Sequence, residues 1–307
     1  MSVANLIGGF QEYYGFEQQP FSLAPNTEFY VEVKTQLECF NVLSYAIQSG
    51  EGFIKITGEV GTGKTLLCRR LLNSLHSDDF LSVYIPNPAL NPQALWRAIG
   101  HELEVEVNNI DIHQVQERIQ QRLLSLAQQG RSVLLVVDEA QCIPEDSLEA
   151  MRLISNLEAE SRSLIQIVLF GQPELDTLLA QNRFRQLKQR ITYSAELQPM
   201  DDASMQHYIQ QRMILAGYRG MPVFEDKALK LMTKATAGIP RLINIIAQKA
   251  LFSAFGGGSN QVSAAHVRAA AMDTEGAKPL KLDNRFYWKE ISLVSLLTLL
   301  VVMHELS

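Results

Sequence analysis

The chain has 307 residues, 47% of them apolar, with 33 acidic side chains against 27 basic ones and a net charge of −6. That is enough apolar material for one large or two ordinary domains, and 20% charged residues argue against long disorder. The acidic balance gives no bulk attraction to nucleic acid, and Cys39, Cys68 and Cys142 lack metal-ligand spacing and read as reduced structural thiols of a cytoplasmic protein.

Residues 1–30 read as an irregular lead. The first fifteen lack the basic start and unbroken apolar core of a signal peptide. The stretch Tyr13-Tyr14-Gly15-Phe16-Glu17-Gln18-Gln19-Pro20-Phe21, followed by Ala24-Pro25-Asn26, offers aromatic surface for packing, and a bound adenine is one place for it. The predicted core spans 31–199. It opens with a helix from Lys34 to Gln48, carrying Leu37, Phe40, Leu43 and Ile47 at helical spacing. Strands are predicted near 53–57, 81–85, 133–137, 164–170 and 192–197, with helices filling the gaps as parallel crossovers require.

The most specific local signal follows the first strand. Gly58-Glu59-Val60-Gly61-Thr62-Gly63-Lys64-Thr65 satisfies G-x-x-x-x-G-K-[ST] between a short apolar strand and a helix. The glycines let the backbone turn its N–H groups onto an anion, and the helix adds its positive end. Lys64 is expected at the β- and γ-phosphates of ATP or GTP, with the Thr65 hydroxyl on Mg²⁺. The competing reading, a glycine-rich turn that happens to contain Lys-Thr, has to place all eight positions in register by accident.

About 70 residues further on, Ser132-Val133-Leu134-Leu135-Val136-Val137-Asp138-Glu139 reads as a strand buried on both faces that ends in two carboxylates. Asp138 is expected to hold Mg²⁺ and Glu139 to polarise the attacking water as general base. The alternative is that the pair caps the helix beginning near Glu145. The strand Leu164–Phe170 is a candidate insertion between these two motif strands. It delivers Gln172, either as a polar group that orients the water or as a turn glutamine before Pro173. Arg190 lies just before the last strand. It fits a finger that neutralises charge on a neighbouring subunit's nucleotide, with Arg185 as substitute, and it equally fits a solvated basic helix face.

After Pro199 the pattern is helical only, giving a domain over 200–275 in which Asp201-Asp202 can cap a helix running to about Ala216, with others near 226–236, 241–254 and 263–271. Eight Lys/Arg against six Asp/Glu there make no basic stripe. Arg241 follows Gly238-Ile239-Pro240 in a first helical turn, against the helix dipole, which points to an anion nearby. Residues 276–307 form a linker and an apolar tail. Lys278, Lys281, Arg285 and Lys289, with Phe286-Tyr287-Trp288, precede thirteen mostly apolar residues over 291–303. As a helix they would reach about 20 Å, against a hydrocarbon core of about 30 Å. A partly inserted anchor, a helix docked on protein and a short span all fit.

Together these motifs resemble the ExeA/GspA group of AAA+ ATPases, over about residues 12–272. The resemblance rests on Tyr14-Gly15-Phe16 with Pro20-Phe21, on Gly52-Phe53 leading into Thr57 and the glycine loop, on Asp138-Glu139-Ala140-Gln141, on Gly171-Gln172-Pro173-Glu174-Leu175 and on Gly238-Ile239-Pro240-Arg241. It implies an α/β fold: a P-loop AAA+ core with a parallel five-stranded sheet, followed by an all-helical lid. It implies ATP and Mg²⁺ at Gly58, Glu59, Val60, Gly61, Thr62, Gly63, Lys64, Thr65 and Asp138, with Glu139 as base. Gln172 becomes the first sensor, Arg190 the finger and Arg241 the second sensor. The chain stops after its tail, so a periplasmic peptidoglycan-binding domain of the ExeA kind is not expected; the shorter form suits the members that serve type IV pilus biogenesis. A homo-oligomeric ring or partial ring, pilus or secretion assembly proteins as partners, and a place in the cytoplasm or on the cytoplasmic side of the inner membrane follow. An ATP-switched DNA-binding module of the transposition or replication-loading kind shares this core; it would bring a basic patch or helix-turn-helix, and the sequence shows neither. A nucleotide-regulated scaffold with little turnover is the third reading.

Overall fold

The computed structural model describes residues 3–23, 29–159 and 162–280. Ala24-Pro25-Asn26 and the apolar tail over 291–303 lie outside the described residues. In chain order the helices are α1 (Val3–Tyr14), α2 (Lys34–Gln48), α3 (Lys64–Ser74), α4 (Pro92–Glu102), α5 (Ile112–Gln128), α6 (Glu145–Ile154), α7 (Glu174–Leu179), α8 (Arg185–Arg190), α9 (Asp202–Leu215), α10 (Asp226–Thr236), α11 (Pro240–Gly256) and α12 (Ala264–Met272). The strands are β1 (Phe53–Thr57), β2 (Phe80–Ile85), β3 (Ser132–Val137), β4 (Glu158–Ala159), β5 (Arg162–Ser163), β6 (Ile165–Gly171) and β7 (Ile191–Glu196). Contacts divide the described residues into two compact units: those within Thr35–Gln198, and those before Thr35 together with those from Pro199 to Leu280.

The Thr35–Gln198 unit is an α/β layer structure. Its sheet has the order β2-β3-β6-β1-β7, all neighbours parallel, so β6 stands between β1 and β3 as the sequence predicts. Alternation along the strands sends successive side chains to opposite faces. Val133, Leu135 and Val137 join Ile167 and Leu169 against Trp96, Ile99, Ile119 and Leu148 on one face. Leu134 and Val136 join Ile54, Ile56, Val168 and Phe170 against Leu43, Leu67 and Leu71 on the other. With helices over both faces, β6 is buried at all seven positions, which is why it reads as a continuous apolar run. Its one polar side chain, Gln166, donates to the Ile47 and Glu51 carbonyls and fixes the turn into β1. A two-residue antiparallel pair, β4 with β5, precedes β6 and has no signal in the sequence.

The other unit is helical and contains α1 with α9–α12. The lead read as irregular is thus corrected: twelve of its residues form a helix. Its aromatic surface is spent on this unit's own core. Phe10 packs on Phe252 with centroids 4.3 Å apart, and Tyr14 donates to the carbonyls of Leu251 and Ser259. Buried Arg212 on α9 donates to the carbonyls of Pro20, Ser22 and Phe29, which pins the segment after α1. At Gly238 (φ 76°) an added Cβ would stand 2.0 Å from the Met200 carbonyl oxygen, so only glycine fits the turn that leads into Pro240 and α11.

Candidate nucleotide-binding site

Parallel register brings the motif residues to one end of the sheet. Thr57 pairs with Gly171 and Val137 with Leu169, so the glycine loop, Asp138-Glu139 and Gln172 all leave the carboxyl ends of adjacent strands β1, β3 and β6. Ligands of open α/β sheets bind at such strand ends.

The loop is fitted closely. A Cβ at Gly58 would lie 2.9 Å from Thr62 Oγ1 and 3.0 Å from the Leu197 carbonyl oxygen. Gly61 and Gly63 adopt φ of 83° and 100°, the left-handed region that side chains disfavour. Thr62 is buried and its hydroxyl donates to the Glu59 carbonyl at 2.8 Å, closing the turn from inside. Glu59 and Val60 are exposed. Among the described residues no side chain caps the N-terminus of α3 at Gly63, so that helix end can take an anion.

Lys64 is 6% exposed, and its Nζ donates to the Gly58 and Glu59 carbonyls at 2.8 and 3.0 Å. Burial lowers its pKa, while Glu139 and Asp138 pull it back up. Asp138 is 3% exposed; its N–H is held by the Ile85 carbonyl, and its Oδ1 accepts from the Glu139 N–H at 2.9 Å. Burial pushes its carboxyl up, against a hydrogen bond from Thr65 and the one from Glu139 N–H. A buried carboxylate beside a hydroxyl and an ammonium, next to a glycine loop that leads into a helix N-terminus, is the donor set that Mg²⁺ and a phosphate chain require.

Glu139 is half-buried and sits at φ 50°, in the left-handed region. Its Oε2 accepts from Gln172 Nε2 at 3.2 Å, so the structure joins the expected base to the expected sensor. It also accepts from Gln141 Nε2 at 2.6 Å, and Gln141 Oε1 takes the Gln172 N–H at 2.9 Å. Gln141 ends the Asp138-Glu139-Ala140-Gln141 run, where the sequence alone assigns it no role. Gln36 was missed as well. It is 4% exposed, lies 2.8 Å from the Cβ position of Gly63, and its Oε1 has no hydrogen-bond partner among the described residues. The available signal was a polar side chain on the apolar stripe of α2, in line with Phe40 and Leu43.

Arg190 is not part of this cluster. It ends α8 at the amino end of β7, where Ile191 pairs with Phe53, and its Nη1 donates to the Ser155 carbonyl at 3.4 Å. The five residues of β1 put about 16 Å between that edge and the glycine loop. Arg185 is exposed. Arg241 is exposed in the first turn of α11, in the helical unit.

Comparison with known proteins fits this geometry. The family model for an AAA domain matches residues 47–179. General secretion pathway protein A of Aeromonas hydrophila is 36% identical over 270 residues, 88% of this chain. The chain belongs to the ExeA/GspA-type AAA ATPase family. It spans about half the length (49%) of that relative. Solved structures share the fold: Aeropyrum pernix ORC2 in its ADPNP–ADP complexes has a TM-score of 0.62 at 18% identity, covering 86% of this chain and 74% of that one. The RuvB Holliday junction branch migration motor of Thermotoga maritima has a TM-score of 0.54 at 16% identity, covering 83% and 73%. Among the described residues no helix is long and apolar enough to cross a membrane.

Proposed function

We propose that this ExeA/GspA-type AAA ATPase binds ATP with Mg²⁺ and hydrolyses it, and that hydrolysis drives assembly of type IV pilus or secretion machinery at the cytoplasmic face of the inner membrane. The observation that carries the chemistry is the convergence of Lys64, Asp138, Glu139 and Gln172 at three adjacent strand ends.

In this reading the N–H groups of Gly58–Lys64 and the Lys64 ammonium hold the β- and γ-phosphates, Lys64 exchanging its two loop carbonyls for phosphate oxygens. Thr65 and Asp138 hold Mg²⁺, which when bound draws charge off the phosphate oxygens. Glu139 takes a proton from the attacking water, and Gln172 orients it. Arg190 lies too far along the sheet to reach its own chain's phosphates, which supports a finger acting on a neighbouring subunit in a ring or partial ring. Arg241 acts as second sensor.

The envelope half rests on the 36% identical relative, named for the general secretion pathway. The finer reading is a role like that of MshM in mannose-sensitive haemagglutinin pilus biogenesis, supported by the Gly58–Thr65 and Gly171–Leu175 motifs. The tail is assigned a membrane contact, and no nucleic-acid partner is assigned.

The test is phosphate release by the full chain with and without Mg²⁺, beside Lys64→Ala. Mg²⁺-dependent release that Lys64→Ala abolishes together with binding is expected. Absence of both binding and release at millimolar ATP sinks the chemistry. Recovery of DNA-processing proteins instead of pilus or secretion proteins in a pull-down from envelope fractions sinks the assignment of partners.

A further inference from the structure

Three hydrogen bonds at the carboxyl ends of β3 and β6 run through one side chain. Gln141 Nε2 donates to Glu139 Oε2 at 2.6 Å, and Gln141 Oε1 accepts the Gln172 backbone N–H at 2.9 Å. Gln172 Nε2 closes the ring on Glu139 Oε2 at 3.2 Å. The amide can stand only one way round. A carboxylate oxygen accepts and a backbone N–H donates, so Nε2 must face Glu139 and Oε1 must face Gln172. A Cβ at Gly171 would meet Leu175 first, at 2.8 Å, with Gln141 Oε1 at an ordinary 3.4 Å, so Gln141 lies directly against the end of β6.

The carboxylate needs such a support. Glu139 occupies a left-handed backbone conformation in the first residue pair after β3, half-exposed, where its long side chain has several rotamers open to it. Gln172 alone gives it one contact at 3.2 Å, from another flexible side chain. Gln141 is anchored at its far end to backbone, on a short 3-10 turn over Ala140–Cys142 that packs beneath β6. It can therefore set both the place of the Glu139 carboxylate and its spacing from Gln172.

The geometry points to Gln141 as a positioning residue for hydrolysis: it holds Glu139 and the Gln172 backbone in fixed relation at the γ-phosphate end of the site. This rests on the assignment of Glu139 as the base. Among the described residues Gln141 bonds to Glu139, Cys142 and Gln172 and not to the glycine loop, so its removal acts on turnover and spares nucleotide affinity. A base displaced by about 1 Å costs on the order of a hundredfold in rate. Losing the base outright costs about 10²- to 10⁴-fold.

The test compares single-turnover ATP hydrolysis and ATP affinity for the full chain, Gln141→Met, Glu139→Gln and the double variant. Met keeps the length of the side chain and removes its amide. Gln141→Met is expected to lower the hydrolysis rate about 10- to 100-fold with ATP affinity within about twofold. In the Glu139→Gln background the same change is expected to add less than about twofold, because Gln141 acts through Glu139. Where Gln141→Met fails to fold, Gln141→Glu serves: it keeps length and the acceptor for Gln172 but has no donor for Glu139, and the same loss is expected. A wild-type or raised rate in the folded variants overturns the inference, as does an equal loss in both backgrounds. If Glu139→Gln itself hydrolyses at the wild-type rate, the assignment of the base fails instead.

Discussion

Substituting alanine for Gly58 tests whether the glycine loop is held in one shape from outside as well as by its own turns. The added Cβ meets Thr62 Oγ1 at 2.9 Å, the Leu197 carbonyl oxygen at 3.0 Å and Leu197 Cβ at 3.1 Å, against ordinary contacts of 3.4 Å or more. Neither neighbour can step aside freely. Thr62 is buried and bonded to the Glu59 carbonyl, and Leu197 is 1% exposed with its N–H on the Thr57 carbonyl at 2.7 Å. The loop backbone must therefore move by about 0.5 Å, which overpacking series place at about 1–3 kcal/mol. At about 2–4 °C per kcal/mol for a domain of this size, the melting midpoint should fall by roughly 2–12 °C. The same shift moves the N–H groups assigned to phosphate, so nucleotide affinity should drop at least about tenfold, or about 1.4 kcal/mol. The matched control is Gly52→Ala, whose nearest neighbour is 4.0 Å away and whose φ is not in the left-handed region. Thermal melts and titration with a fluorescent ATP analogue read both effects. If Gly58→Ala melts and binds like Gly52→Ala, the loop is not confined in this way.

Arg212→Leu should destabilise the helical unit by about 3 kcal/mol or more, because three carbonyls lose a buried charged donor. It should also speed tryptic release at Lys34, the first basic residue of the chain; an unchanged urea midpoint and cleavage rate would refute this. Cys142 is exposed while Cys39 and Cys68 are buried, and burial pushes the Cys39 thiol up to about 11. Native protein at pH 8 should thus take one alkyl label, on Cys142, and labelling of Cys39 on the same timescale would contradict the packing. Mixing Arg190→Ala with Glu139→Gln should restore part of the hydrolysis at hybrid interfaces. No restoration, with activity independent of protein concentration, would remove the finger role in trans.

The nucleotide motif, its second carboxylate strand and the inserted strand were legible because each is a contiguous run whose chemistry is local. Asp138 ends an apolar stretch, and Gly58–Thr65 fills every position of its pattern. What the sequence hid depends on distant contacts. Gly8-Gly9 weakens helix propensity by about 1 kcal/mol per residue, so α1 reads as irregular; its aromatic residues are satisfied by Phe252 and Phe255, more than two hundred residues on. Gln141 looks like one more polar residue after a strand. Its role appears only when β6 is laid beside β3 and brings the Gln172 N–H within reach. Gln36 becomes notable only when α2 is folded against Gly63.

The central claim, that Glu139 is the base of an ATP hydrolysis site whose binding elements lie elsewhere, is tested most directly by Glu139→Gln. ATP affinity and single-turnover hydrolysis are measured on the same full-length sample. The glycine loop, Lys64, Thr65 and Asp138 are untouched by the change, so ATP should bind within about twofold of wild type. The carboxylate that accepts the proton is gone, so hydrolysis should fall by about 10²- to 10⁴-fold. Hydrolysis at the wild-type rate, or loss of ATP binding together with activity, would contradict the account.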